Sequence, residues 1–107
     1  MDPHRVAEER SLAYHAMVAE RLPVDERVLS RARARVAEWA RNGTVHPHWV
    51  DAWHRLLTLP PSALGRTLIE RSEDANALRQ VTPFAGAIDP RTRWRLWRDI
   101  RIRLSTP

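Results

Sequence analysis

Apolar residues recur along this chain at intervals of three and four, and proline, glycine or aspartate interrupts each run. The pattern predicts helices throughout and no strand. A first helix is expected over about Pro3 to Leu22, with Tyr14, Met17, Val18 and Leu22 as its stripe. Its opening turns carry little apolar pattern, so 1–22 is expected as a loosely attached helix. Pro23 or Val24 opens a second helix with Asp25 and Glu26 in its first turn. There Val28, Leu29, Ala32, Val36, Trp39 and Ala40 share one face, and Arg27, Arg31 and Arg35 repeat every four residues on another. Asn42-Gly43 stops it, because glycine accepts the left-handed conformation that commonly ends a helix.

His46-Pro47 starts a third helix running to about Thr58, with Trp49, Val50, Trp53, Leu56 and Leu57 on its apolar face and Asp51 and Arg55 outside. Pro60-Pro61 breaks it and begins a short helix in which Leu64 and Leu68 face inward. Ser72 caps another short helix to about Gln80. The stretch Thr82-Pro83-Phe84-Ala85-Gly86 reads as a loop with one aromatic anchor, and Asp89-Pro90 opens the last helix. The fold class is therefore all-α, a compact single-domain bundle of about five helices over 1–107, with Trp39, Trp49, Trp53, Phe84, Trp94 and Trp97 as the aromatic core.

Composition narrows the class without naming a reaction. Hydrophobic residues make up 43% and charged residues 29% of 107, which suits a folded chain rather than a disordered one. No apolar run has bilayer length, no secretion signal opens the chain and there is no cysteine, so the cytoplasm is the expected setting. All eighteen basic residues are arginine. From Asp89 onward six arginines face two aspartates, a net +4, whereas residues 1–88 carry +1. The excess positive charge thus gathers on the last helix and points to an acidic partner, either a protein or a nucleic acid.

Within that helix Trp94, Trp97, Ile100 and Leu104 are spaced as one stripe, Arg91, Arg95 and Arg98 occupy another face, and Arg93 can stack on Trp97. Two readings follow: a tryptophan core with a solvated arginine rim, or a docking face in which tryptophan and arginine are the energetic centre. Arg91, Arg95 and Arg98 are the candidate partner-binding residues, with Arg27, Arg31 and Arg35 as a second patch. The histidines His46, His48 and His54 surround Asp51, but Pro47 separates the first two and no thiolate helps, so neither a metal site nor a cofactor is expected. No glycine-rich phosphate loop and no serine in a nucleophile context is present, and no catalytic residue is assigned.

The string Arg41-Asn42-Gly43-Thr44-Val45-His46 matches the Arg-Asn-x-x-x-His motif of the HEPN ribonucleases, all-helical toxins in which that arginine and histidine promote RNA cleavage. Here Asn42-Gly43 and Pro47 predict a turn where that family has a helix. A broader likeness spans about 30–104. The block Leu78-Arg79-Gln80-Val81-Thr82-Pro83-Phe84-Ala85-Gly86, then Asp89-Pro90-Arg91-Thr92-Arg93-Trp94, resembles one in small all-helical bacterial proteins associated with toxin–antitoxin operons, as does His48-Trp49-Val50-Asp51-Ala52-Trp53 with Leu56-Leu57. That resemblance implies a non-catalytic antitoxin or accessory protein whose partner is a cognate toxin. The expected function is occlusion of an acidic partner surface by arginine-rich helices. The alternatives are a nucleic-acid-binding module and a ribonuclease using Arg41 and His46.

Overall fold

The computed structural model describes residues 2–105 and, among them, six helices and no strand. They are α1 (Pro3–Arg21), α2 (Glu26–Asn42), α3 (Pro47–Leu56), α4 (Pro61–Leu68), α5 (Glu73–Gln80) and α6 (Pro90–Ser105). The count is six rather than about five, and the two short helices expected after Pro60 and Ser72 are both present, each of about two turns.

The chain's punctuation sets most boundaries. Proline occupies the first turn of α1, α3, α4 and α6, where its missing N–H leaves no helical bond unmade. Gly43 ends α2 at φ +67°, its N–H donating to the Trp39 carbonyl. Ser72 caps α5 by accepting from the Ala75 N–H at 3.1 Å. The second helix begins later than its proline suggests. Asp25, not Pro23 or Val24, is the cap, because its carboxylate accepts from the Arg27 N–H at 3.0 Å. Likewise α3 stops at Leu56, with Leu57 as its C-cap, short of Thr58.

The helix with the least apolar opening is the one on which α4, α5 and α6 all pack. Its first two turns are largely exposed, and from Ser11 onward it buries Tyr14, His15 and Val18. A second pairing, α2 with α3, contributes Val28, Ala32, Val36, Val50, Trp53 and Leu57 to the same core. The segment between α5 and α6 wedges Phe84 and Ile88, each 1% exposed, into the seam. Phe84 meets the Trp53 ring edge-on at 5.9 Å and the His15 ring at 6.4 Å.

The tryptophans divide. Trp53 is fully buried, Trp39, Trp49 and Trp97 are half-buried, and Trp94 stands 61% exposed. Trp94 is therefore not core. On α6 the inward stripe is Leu96, Trp97, Ile100 and Leu104, and including Leu96 rotates the buried face away from Trp94.

The α1–α4 crossing is close because α4 carries a buried glycine there. A Cβ built on Gly65 would lie 3.4 Å from the Ala19 Cβ, at the edge of ordinary contact. Gly65→Ala is expected to hold or raise Tm, since alanine favours a helix interior by about 1 kcal/mol over glycine. Gly65→Val is expected to cost about 2 kcal/mol by forcing the helices apart. Thermal unfolding followed by circular dichroism separates the two outcomes.

Candidate functional site

Asp89 and Pro90 place α6. The Asp89 carboxylate accepts from the Thr92 hydroxyl at 2.6 Å and from the Thr92 N–H at 3.0 Å, and these bonds hold its pKa below the ordinary range. The helix is then seated on α1 through an aromatic contact and an ion pair, with a buried isoleucine between them. Trp97 meets the Tyr14 ring edge-on at 6.2 Å, Ile100 is buried, and Arg103 donates to Glu9 at 3.2 Å. Glu9 also receives both guanidinium nitrogens of Arg71, at 2.7 and 3.2 Å, and Arg71 above all holds its pKa low.

This seating sorts the six arginines of the helix. Arg103 is committed to α1 through Glu9, and Arg93 lies partly buried on the inner edge beside Trp97. Arg91, Arg95, Arg98 and Arg101 are exposed. Between the outward arginines stands Trp94, with the Arg98 guanidinium 5.1 Å above its ring. The cation–π contact thus joins Arg98 to Trp94, not Arg93 to Trp97. One turn on, Ile102 is 58% exposed. Positions 91, 94, 95, 98, 101 and 102 recur at helical spacing, so an arginine-flanked apolar ridge runs along the outer face of α6.

The second patch is built differently. Arg27 forks onto the Asp25 carboxylate through Nε at 3.2 Å and its terminal nitrogen at 3.3 Å. Arg35 donates to the carbonyls of Pro83 at 3.2 Å and Ala85 at 2.7 Å, and Arg21 donates to the Ala87 carbonyl at 3.2 Å. Of the three, only Arg31 has no hydrogen bond or ion pair among the described residues. All three line a cleft of about 520 Å³ closed by the loop 83–89, and Arg91, Arg95 and Arg98 lie outside it. The two patches are therefore separate features, and much of the second clamps the loop.

The remaining candidates sit at helix ends. Arg41 is in the last turn of α2, Gly43 turns the chain, and His46 caps α3 by accepting at Nδ1 from the His48 N–H at 3.1 Å. The motif thus straddles a break between two helices. His48 packs edge-on against Trp49 at 4.8 Å. Among the described residues no group of three or more histidines and acids is placed to hold a metal ion, and no helix is long and apolar enough to cross a membrane.

No family model, curated protein or solved structure matches the chain. Two buried polar residues escaped the sequence pattern altogether. His15 is 1% and Arg79 4% exposed, and their partners lie as far as 67 and 11 residues away in sequence.

Proposed function

We propose that this chain is a non-catalytic interaction protein, the antitoxin or accessory subunit of a bacterial toxin–antitoxin pair, that lays the outer face of α6 over an acidic surface of its partner. The observation that carries the reading is Trp94, largely exposed on a ridge with Arg98 over its ring and Arg91 and Arg95 beside it. A solvent-facing tryptophan flanked by arginines is the composition that concentrates binding energy in protein interfaces. The Arg98 contact holds that ring partly ordered before a partner arrives, which lowers the ordering cost of docking. Charge complementarity from the arginine row would steer association with an acidic surface. The toxin–antitoxin assignment rests on the sequence likeness of the blocks 48–57 and 78–94. The ribonuclease reading is less well supported, because Gly43 and the His46 cap take Arg41 and His46 off a common helix.

Co-expression with the neighbouring gene product, followed by co-purification and a growth-rescue assay, tests the proposal. The triple variant Arg91→Glu, Arg95→Glu, Arg98→Glu is expected to weaken the complex at least 100-fold with helicity unchanged, and Trp94→Ala is expected to cost about 2 kcal/mol, some thirtyfold. Unchanged affinity of the triple variant would remove this face from the interface. Binding to RNA or DNA, with affinity falling steeply as salt rises, would replace the protein partner with a nucleic acid.

A further inference from the structure

On the inner side of α6, opposite the proposed docking ridge, a groove of about 360 Å³ runs between α1, the end of α5 with the loop after it, and α6. Arg10, Arg79 and Arg93 line it together with Tyr14, His15 and Trp97, and no aspartate or glutamate does. Glu8 and Glu9 border Arg79 from a neighbouring hollow but do not face this groove.

Most polar groups on its wall are already satisfied. The Tyr14 hydroxyl donates to the Phe84 carbonyl at 2.6 Å. His15 contacts the Ser11 carbonyl through Nδ1 and the Thr82 hydroxyl through Nε2. Arg79 is spent on the carbonyls of Leu68 and Glu70 and on the Asn76 side chain, so it adds charge to the groove. Two guanidiniums remain. Neither Arg10 nor Arg93 has a side-chain hydrogen bond or ion pair among the described residues, and the Arg10 Nε is buried with no acceptor. A buried guanidinium nitrogen without an acceptor, as at Arg10 Nε, is costly, and the groove gathers the charges of Arg10, Arg79 and Arg93 with no acid facing them. A ligand carrying an anionic fork would pair with the guanidinium groups that line the groove and neutralise their charge.

The apolar part of the wall is half-buried Trp97, braced edge-on by Tyr14, together with Ala7 and Ala85. The volume is at the lower end of the range for small-molecule sites, enough for a ring and one charged group. We propose that this groove binds a small aromatic anion, an aryl phosphate or aryl carboxylate, with its charged group forked by Arg10 and Arg93 and its ring laid against Trp97.

Titration of the full chain with phenyl phosphate and with benzoate, followed by NMR at the Trp97 indole N–H (assigned with Trp97→Phe), tests the site. Inorganic phosphate and phenol serve as half-ligands. At least one aromatic anion is expected to bind tenfold or more tightly than either half-ligand, and Arg93→Gln, at the groove's rim on α6, is expected to weaken it at least fivefold. Arg10→Gln is expected to do the same, and if that variant misfolds, Arg93→Gln alone decides. The triple glutamate variant of the outer face is expected to bind the aromatic anion with no more than a twofold change, which separates this site from the docking ridge. Binding of both anions within tenfold of the half-ligands, or an Arg93→Gln affinity within fivefold of the parent's, would overturn the proposal.

Discussion

Acidification from pH 7 to pH 4 is expected to cost the fold about 3 kcal/mol through one imidazole, His15. Burial pushes its pKa down from 6.5 to about 4, the positive charge of Arg79 adds to the shift, and the bond to the Ser11 carbonyl opposes it. The neutral ring closes a relay across the molecule. Its Nδ1 lies 2.7 Å from the Ser11 carbonyl, its Nε2 lies 2.8 Å from the Thr82 hydroxyl, and that hydroxyl oxygen accepts from the Phe84 N–H at 3.1 Å. This geometry suits a ring protonated at Nδ1 and accepting at Nε2. A second proton would turn that acceptor into a donor aimed at a hydroxyl already bonded elsewhere.

Because the folded pKa lies below the unfolded one, the unfolded chain takes up the proton first. The stabilisation is complete above pH 6.5 and drains away as the pH falls toward 4. Urea denaturation at pH 7 and pH 4.5 measures the difference, expected to exceed about 2 kcal/mol in the parent. His15→Gln is expected to remove most of that difference, whatever it does to stability at pH 7. An equal loss in both proteins would mean that carboxylates, not His15, set the acid sensitivity.

Replacing Arg79 with methionine is expected to destabilise the fold by about 3 kcal/mol. Its guanidinium donates to the carbonyls of Leu68 at 3.0 Å and Glu70 at 2.8 Å, where α4 ends without a glycine cap, and to the Asn76 side chain. Methionine fills much of the volume but leaves those acceptors in a buried site with no donor. Arg79→Lys is expected to recover only part of the loss, since one ammonium lacks the fork that reaches several acceptors at once. The two predictions are coupled. Without the Arg79 charge the His15 pKa should rise, so Arg79→Met should also flatten the acid sensitivity. A double-mutant cycle at two pH values reads that coupling.

Most helix limits were legible where a local residue dictates them, the start of α2 at Asp25 rather than at Pro23 or Val24 being the exception. Gly43, Ser72, Pro61 and the Asp89-Pro90 pair act within a few residues of their own position, and the structure puts each where its chemistry requires. The inward sets on α2 and α4 followed from spacing for the same reason, except that Ala40, at the edge of the α2 arc, is exposed. Trp94 is instructive, because three-residue spacing from Trp97 put it within 60° of the buried stripe and only Leu96 showed which side of that arc faces α1. The roles of Arg79, His15 and Arg103 were not legible. Each is defined by a partner distant along the chain, and arginine in a charged helix looks alike whether it is clamped or exposed. The candidate site was accordingly half readable: the helix stood out by charge, while the division of its arginines depended on how the helix was seated.

The Glu9 junction gives salt two unequal roles in this molecule. Arg71 and Arg103 meet on the Glu9 carboxylate, only 12% exposed, whereas Arg91 and Arg95 are exposed and have no ion pair among the described residues. Counter-ions condense on open charges and reach a sheltered one poorly. Moderate ionic strength should therefore loosen whatever rests on the outside of the last helix while that helix keeps its own footing. Elution of a captured partner by salt alone would then return an intact, reusable binder.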